Sequence, residues 1–119
     1  MTGLFSYPKR KLKKLINEGE YEEAIIFGNQ LEQKFSNDPD FLFIMGSMYY
    51  ILNEEKKTLQ YIDRALEINE YDVESLSLKL RVHEYLKEND VVINCCKKIL
   101  KVDPDNFEVR DILDDLEEN

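Results

Sequence analysis

Tryptophan is absent from this 119-residue chain, histidine occurs once, and cysteine occurs only as the adjacent pair Cys95 and Cys96. With His83 as the single histidine, the nucleophile, base and orienting group of a hydrolytic triad have little to be built from. A bridge between neighbouring cysteines would close almost no loop, so both read as reduced thiols. Structural zinc needs four ligands in spaced pairs, and no such set is present, so neither a metal nor a cofactor is expected. Gly-rich phosphate loops, dinucleotide fingerprints and HExxH helices are also missing, and carboxylate pairs such as Asp114 and Asp115 fall on what should be a solvated helix face. The chain therefore reads as something other than an enzyme.

Four glycines and three prolines are scattered too thinly to mark a linker or a disordered tract. No window is apolar enough to cross a bilayer, and MTGLFSYPKRK lacks the long apolar stretch of a secretory signal. A cytoplasmic location is the expectation, with no membrane partner. Twenty-five acidic against sixteen basic residues, a net charge of -9, oppose attraction to phosphates, so nucleic acid is not an expected partner. The charge is polarised. Lys9, Arg10, Lys11, Lys13 and Lys14 crowd the start, while Asp103, Asp105, Glu108, Asp111, Asp114, Asp115, Glu117 and Glu118 crowd the end.

What the sequence does have is a repeat. Residues 5–38, 39–72 and 73–106 superimpose without gaps at a period of 34. Ala24 then meets Thr58 and Val92, Ile25 meets Leu59 and Ile93, and Leu31 meets Ala65 and Ile99. Leu12 meets Gly46 and Leu80, and Leu15 meets Tyr49 and His83. Lys34 departs from Ile68 and Val102. Within a unit the apolar residues recur at three and four residue spacing, as at Leu42, Met45, Tyr49 and Leu52, which specifies two helices rather than strands.

Breaks at Gly19, around Asn53 and around Asn89 divide each pair of helices, and short acidic or Asn side chains with Pro39 and Pro104 separate the units. Asp105 followed by Glu108 reads as a capping box. The expected helices are near 8–18, 21–36, 39–52, 55–69, 73–87, 89–102 and 106–117. By register His83 is a packing residue and Cys96 a core thiol, with Cys95 more exposed and oxidisable.

These residues resemble the tetratricopeptide repeat family along nearly the whole chain. Gly19-Glu20-Tyr21-Glu22-Glu23-Ala24-Ile25 is similar to the start of that family's second helix, Met45-Gly46 with Tyr49 to its first, and Ala65-Leu66-Glu67-Ile68-Asn69 to its close. Gly28 stands where an aromatic is usual, and Ser36 and Glu70 where Pro104 fits. The resemblance implies a single domain over residues 1–119. It would be an all-α, right-handed superhelical solenoid of antiparallel helix pairs with about seven helices, repeats near 5–38, 39–72 and 73–106, and a capping helix near 107–117.

It also implies a concave face that binds a peptide or helix of a partner protein, with Lys9, Lys13, Phe43, Ser47, Tyr50, Ser77 and Arg81 at groove positions. Phe43 and Tyr50 are expected to form an apolar platform, and Lys9, Lys13 and Arg81 to hold carboxylates. A subgroup of the family grips chaperone C-terminal tails with two lysines, two asparagines and an arginine. Lys9 alone matches, since Lys13, Ile44, Glu74 and Leu78 hold the other four positions, so a chaperone tail is not the expected partner. A rival expectation is homo-oligomerisation, with basic starts stacking on acidic ends and Leu4, Phe5 and Tyr7 as an uncovered apolar edge.

Overall fold

Apolar residues return every three to four positions in each segment, and the chain winds into helices α1 (Thr2–Asn17), α2 (Tyr21–Phe35), α3 (Pro39–Ile51), α4 (Glu55–Ile68), α5 (Val73–Tyr85), α6 (Asn89–Val102) and α7 (Phe107–Glu118). The computed structural model describes residues 2–118, with side chains from Tyr7 to Glu118. The described residues form seven helices and no strand. The expected apolar edge at Leu4 and Phe5 lies outside the described side chains, while Tyr7 is exposed. Helix α1 begins well before the expected start at Pro8 and passes through that residue, which removes one amide donor from the ladder without ending it.

Each hairpin turns the same way. Glu20, Glu54 and Glu88 donate their amides to the carbonyls of Leu15, Tyr49 and His83 at 2.9 Å, and the amides of Gly19, Asn53 and Lys87 reach Ile16, Tyr50 and Glu84. This is the Schellman arrangement, and it puts Gly19, Asn53 and Lys87 in the left-handed region at φ 77°, 61° and 59°. The third break is thus Lys87 rather than the expected Asn89, which opens α6. Between hairpins the caps are acidic. Asp38 accepts from the amides of Asp40 and Phe41, with Pro39 behind it, and Asp72 accepts from Ser75. At α7 the expected capping residue Asp105 is displaced by Asn106, whose Oδ1 accepts from Val109 at 3.1 Å, because the helix starts one residue later.

Burial follows the 34-residue register. Ala24, Thr58 and Val92 are buried in their respective second helices, and Leu12, Gly46 and Leu80 in the first. Lys34, Ile68 and Val102 all face solvent, so a lysine at that position interrupts nothing. His83 is 8% exposed, with Nδ1 3.2 Å from Glu88, in the packing place its register assigns. Glycines admit the tightest approaches: a Cβ on Gly46 would lie 2.9 Å from Ile62 Cγ1, and one on Gly28 would lie 2.5 Å from Met45 Sδ. Gly28 replaces an aromatic because Met45 fills that space from α3.

The core has two parts. One, around Leu12, Phe41, Leu42, Met45 and Met48, is shared by α1 to α4; the other, around Leu76, Leu80, Cys96, Ile99 and Leu113, joins α5 to α7, with Leu66 of α4 packed against it. Cys95 is as buried as Cys96, against the expected exposure, because it points between α4 and α5 beside Leu66 and Leu76. The radius of gyration is 15.4 Å, above the roughly 13–14 Å of a compact chain of this length, and the extents are 48 × 30 × 22 Å. The molecule is a short stack of helix hairpins, closed by α7 on α6.

Candidate functional site

Three first helices, α1, α3 and α5, each contribute to one cavity of about 250 Å³, to which Lys13, Phe43, Ser47 and Glu74 belong. Ser47 follows Phe43 by one turn of α3, and Ile51 follows Ser47 by another, so the three share a face. Phe43 and Ser47 are half-buried, and Ile51 is half exposed. Lys13 on α1, Asp40 on α3 and Glu74 on α5 give the lining charges of both signs. The arrangement offers an apolar strip between polar walls, suited to a side chain or helix edge carried by another polypeptide.

The seven expected groove residues are only partly brought together. Lys13, Phe43 and Ser47 share the cavity, and Ser77 is half-buried on α5 but lines neither this cavity nor the next. Tyr50, two turns beyond Phe43 on α3, lines a second cavity of about 390 Å³ with Glu54 and Tyr85. Phe43 and Tyr50 thus line separate cavities, the first beside Glu74 at the start of α5 and the second beside Val82 and Tyr85 at its end. Ile51 joins Phe43 in the first cavity, where the sequence reading did not place it.

Lys9 and Arg81 hold the fold together. Lys9 Nζ lies 2.8 Å from Asp38 and 3.3 Å from Asp40, tying α1 to the cap of α3. The hydrogen bond to Asp38 raises the Lys9 pKa above its ordinary value. Burial pushes the Asp38 carboxyl up, but Lys9 and the amides of Phe41 and Asp40 outweigh it, and the group rests below the usual carboxylate range. The pair therefore stabilises the fold at neutral pH. Its contribution is lost in acid as pH falls through the lowered Asp38 pKa, and in strong alkali as pH rises through the raised Lys9 pKa. Arg81 is bonded to Glu108 of α7 and lies 3.4 Å from Glu84, and Glu108 above all raises its pKa. Neither cation is free to hold a ligand carboxylate without giving up these partners.

On the outer side, Arg64 of α4 makes a forked contact to Glu32 of α2 at 3.1 and 3.3 Å and also reaches the Ser36 carbonyl. Tyr61 donates to the same Glu32 carboxylate at 3.0 Å, and burial with that neighbouring charge pushes its phenol up to about 12. These groups fasten successive second helices. Among the described residues no group of His, Cys, Asp and Glu is placed to hold a metal ion, and no helix is long and apolar enough to cross a membrane.

Hairpins stacked in this way, with first helices lining one face, define the fold of tetratricopeptide repeat domains. Among solved structures, the NMR structure of the first TPR domain of human RPAP3 has a TM-score of 0.77 at 20% identity, covering 93% of this chain and 87% of that one. The first TPR of Spaghetti (RPAP3), bound to the HSP90 peptide SRMEEVD, has a TM-score of 0.80 at 20% identity, covering 94% of this chain and 91% of that one. At that identity the likeness is one of fold. The anaphase-promoting complex subunit CDC16 of Saccharomyces cerevisiae is 36% identical over 80 residues, which cover 61% of this chain and 10% of CDC16. The matched region thus spans about a tenth of the length of that relative. No family model matches the chain.

Proposed function

We propose that the chain is a non-catalytic protein-interaction module that takes a peptide or helix of a partner protein along the face of α3 between α1 and α5. The reading rests on one observation: Lys13, Phe43 and Glu74, from three successive first helices, line a single cavity. A likeness of fold to a domain bound to a peptide is consistent with it.

Selection from a displayed peptide library on the immobilised chain tests the reading. Selected peptides should lose about tenfold or more in affinity on Phe43→Ala/Ile51→Ala, the cost of removing buried apolar anchors. Peptides that bind both chains equally would refute this site.

The acidic tail of a chaperone is not the partner we propose. Of the clamp positions, Lys9 is engaged by Asp38 and Asp40, Ile44 is 5% exposed, and Glu74 would repel a carboxylate. A labelled peptide ending in Glu-Glu-Val-Asp should show no low-micromolar binding; saturable binding there would reverse the assignment.

A second reading, head-to-tail self-association, is favoured by charge placement. Arg10, Lys11, Lys13 and Lys14 are exposed on α1 at one end of the stack, and Asp111, Asp114, Glu117 and Glu118 on α7 at the other. Phe107 beside them is 76% exposed. Under this reading the mass measured by light scattering should rise with protein concentration and fall with salt; a constant monomer mass at low salt eliminates it.

A further inference from the structure

The cavity of about 390 Å³ at the far end of α3 is distinct from the groove in both chemistry and origin. Tyr50 from the last turn of α3 and Tyr85 from the last turn of α5 line it, with Glu54 and Glu55 from the hairpin turn and the start of α4. Its buried lining is Thr58 and Val82, at 0% and 1% exposure, and the Thr58 hydroxyl is already bonded to the Glu54 carbonyl at 2.9 Å. No lysine, arginine or histidine lines the cavity. Among the described residues neither Glu54 nor Glu55 takes part in an ion pair.

The aromatic pair is also no by-product of the repeat. In the 34-residue register Tyr50 corresponds to Ile16 and Glu84, and Tyr85 to Ile51 and Asn17, so the combination occurs once. Tyr85 remains 75% exposed and Tyr50 43% exposed, although both are large rings at the mouth of a cavity. The backbone at Tyr50 is fixed by the Schellman bonds from Asn53 to Tyr50 at 3.0 Å and from Glu54 to Tyr49 at 2.9 Å, and that at Tyr85 by the matching bonds from Lys87 to Glu84 and from Glu88 to His83.

Phenol faces attract cations through the ring quadrupole, and carboxylates do so by charge. An acidic or phosphorylated ligand would meet two like charges. A neutral aliphatic side chain could lie against the rings but would strip water from Glu54 and Glu55 without replacing it. A lysine or arginine suits the accessible lining: its methylene stem lies along the two rings while its cationic head meets the carboxylates. The volume falls within the roughly 300–1,000 Å³ range of ligand pockets.

We infer that this cavity is a receptor for a basic side chain, lysine or arginine, presented by a partner protein. The inference rests on the reading of the chain as an interaction module but uses a surface separate from the Phe43 groove.

The test is an NMR titration of the full ¹⁵N-labelled chain with acetyl-Gly-Lys-Gly-amide and with its norleucine counterpart. The lysine peptide should shift the amides of Asn53, Glu54, Glu55 and Val82 saturably and in a salt-sensitive way, and the norleucine peptide should not. Tyr85→Ala and Glu54→Gln/Glu55→Gln should each weaken the lysine peptide about threefold or more, in keeping with the strength of exposed cation–π and charge contacts. None of the three substituted side chains is buried, and thermal melts verify folding.

Phe43→Ala/Ile51→Ala should leave this titration unchanged, so failure of the groove and failure of this cavity are read separately. Equal shifts with norleucine, shifts elsewhere on the chain, or indifference to both variants would overturn the inference. Concentration-dependent mass that disappears in Tyr85→Ala would also overturn it, by making the occupant the basic first helix of a second copy.

Discussion

At the scale of single residues, Gly28 and Gly46 look alike in sequence and differ in what surrounds them. The Cβ of an alanine at 28 would press on the flexible thioether end of Met45, whereas at 46 it would press on both Cδ1 and Cγ1 of the stiffer, β-branched Ile62, at 2.7 and 2.9 Å. Gly28→Ala should therefore stay within about 1 kcal/mol of the parent chain, strain being offset by helix propensity. Gly46→Ala should lose about 1–2 kcal/mol through overpacking. Urea unfolding of both variants measures the difference, and equal stabilities would contradict this account of the helix crossing.

The thiols make a second test. Burial raises both pKa values, that of Cys96 to about 11, so the folded state disfavours the thiolate. A raised folded pKa contributes stability that is complete below the unfolded value of about 8.5 and is lost as pH climbs towards the folded one. Stability should thus decline between about pH 8.5 and 11. Reaction with Ellman's reagent at pH 8 should be slow until the chain is unfolded; two immediately reactive thiols would disprove the burial of Cys95.

Turns and caps belong to the scale of the element, and here sequence and structure can be compared piece by piece. Asp38 and Asp72 were legible as helix starts because a short carboxylate before an apolar period has one obvious use. Asp105 and Asn106 are both good caps side by side, so composition alone could not choose between them. Lys87 was missed because lysine carries no local signal for the left-handed region, although the register leading from Gly19 to Asn53 points straight at it.

The cost of holding lysine there is about 1 kcal/mol. Lys87→Gly should accordingly raise stability by about 0.5–1 kcal/mol, and Gly19→Ala should lower it by about 1 kcal/mol. Denaturant midpoints test this, and a destabilised Lys87→Gly would show that the side chain matters more than its backbone. The groove was legible as a face and not as a site. Periodicity placed Phe43 and Tyr50 on one helix, but which neighbour each meets depends on α5, and the partner that occupies Lys9 comes from a cap 29 residues away.

At the scale of the whole molecule, helices among the described residues approach only neighbours close in sequence: α1 packs on α2 and α3, and α7 on α6, with Arg81 of α5 reaching Glu108. Helix α3 has the most neighbours, meeting α1, α2, α4 and α5. Stability in such a stack is set locally, so amide hydrogen exchange should be slowest in α3 and α4 and fastest in α1 and α7. Uniform protection across all helices would show that the two cores act as one. The same neighbour-only wiring bears on force. Pulled by its two ends, the chain has among its described residues no clasp joining α1 to α7, so it would lengthen in small steps, shedding α7 and α1 early and keeping the α3–α4 hairpin until the end.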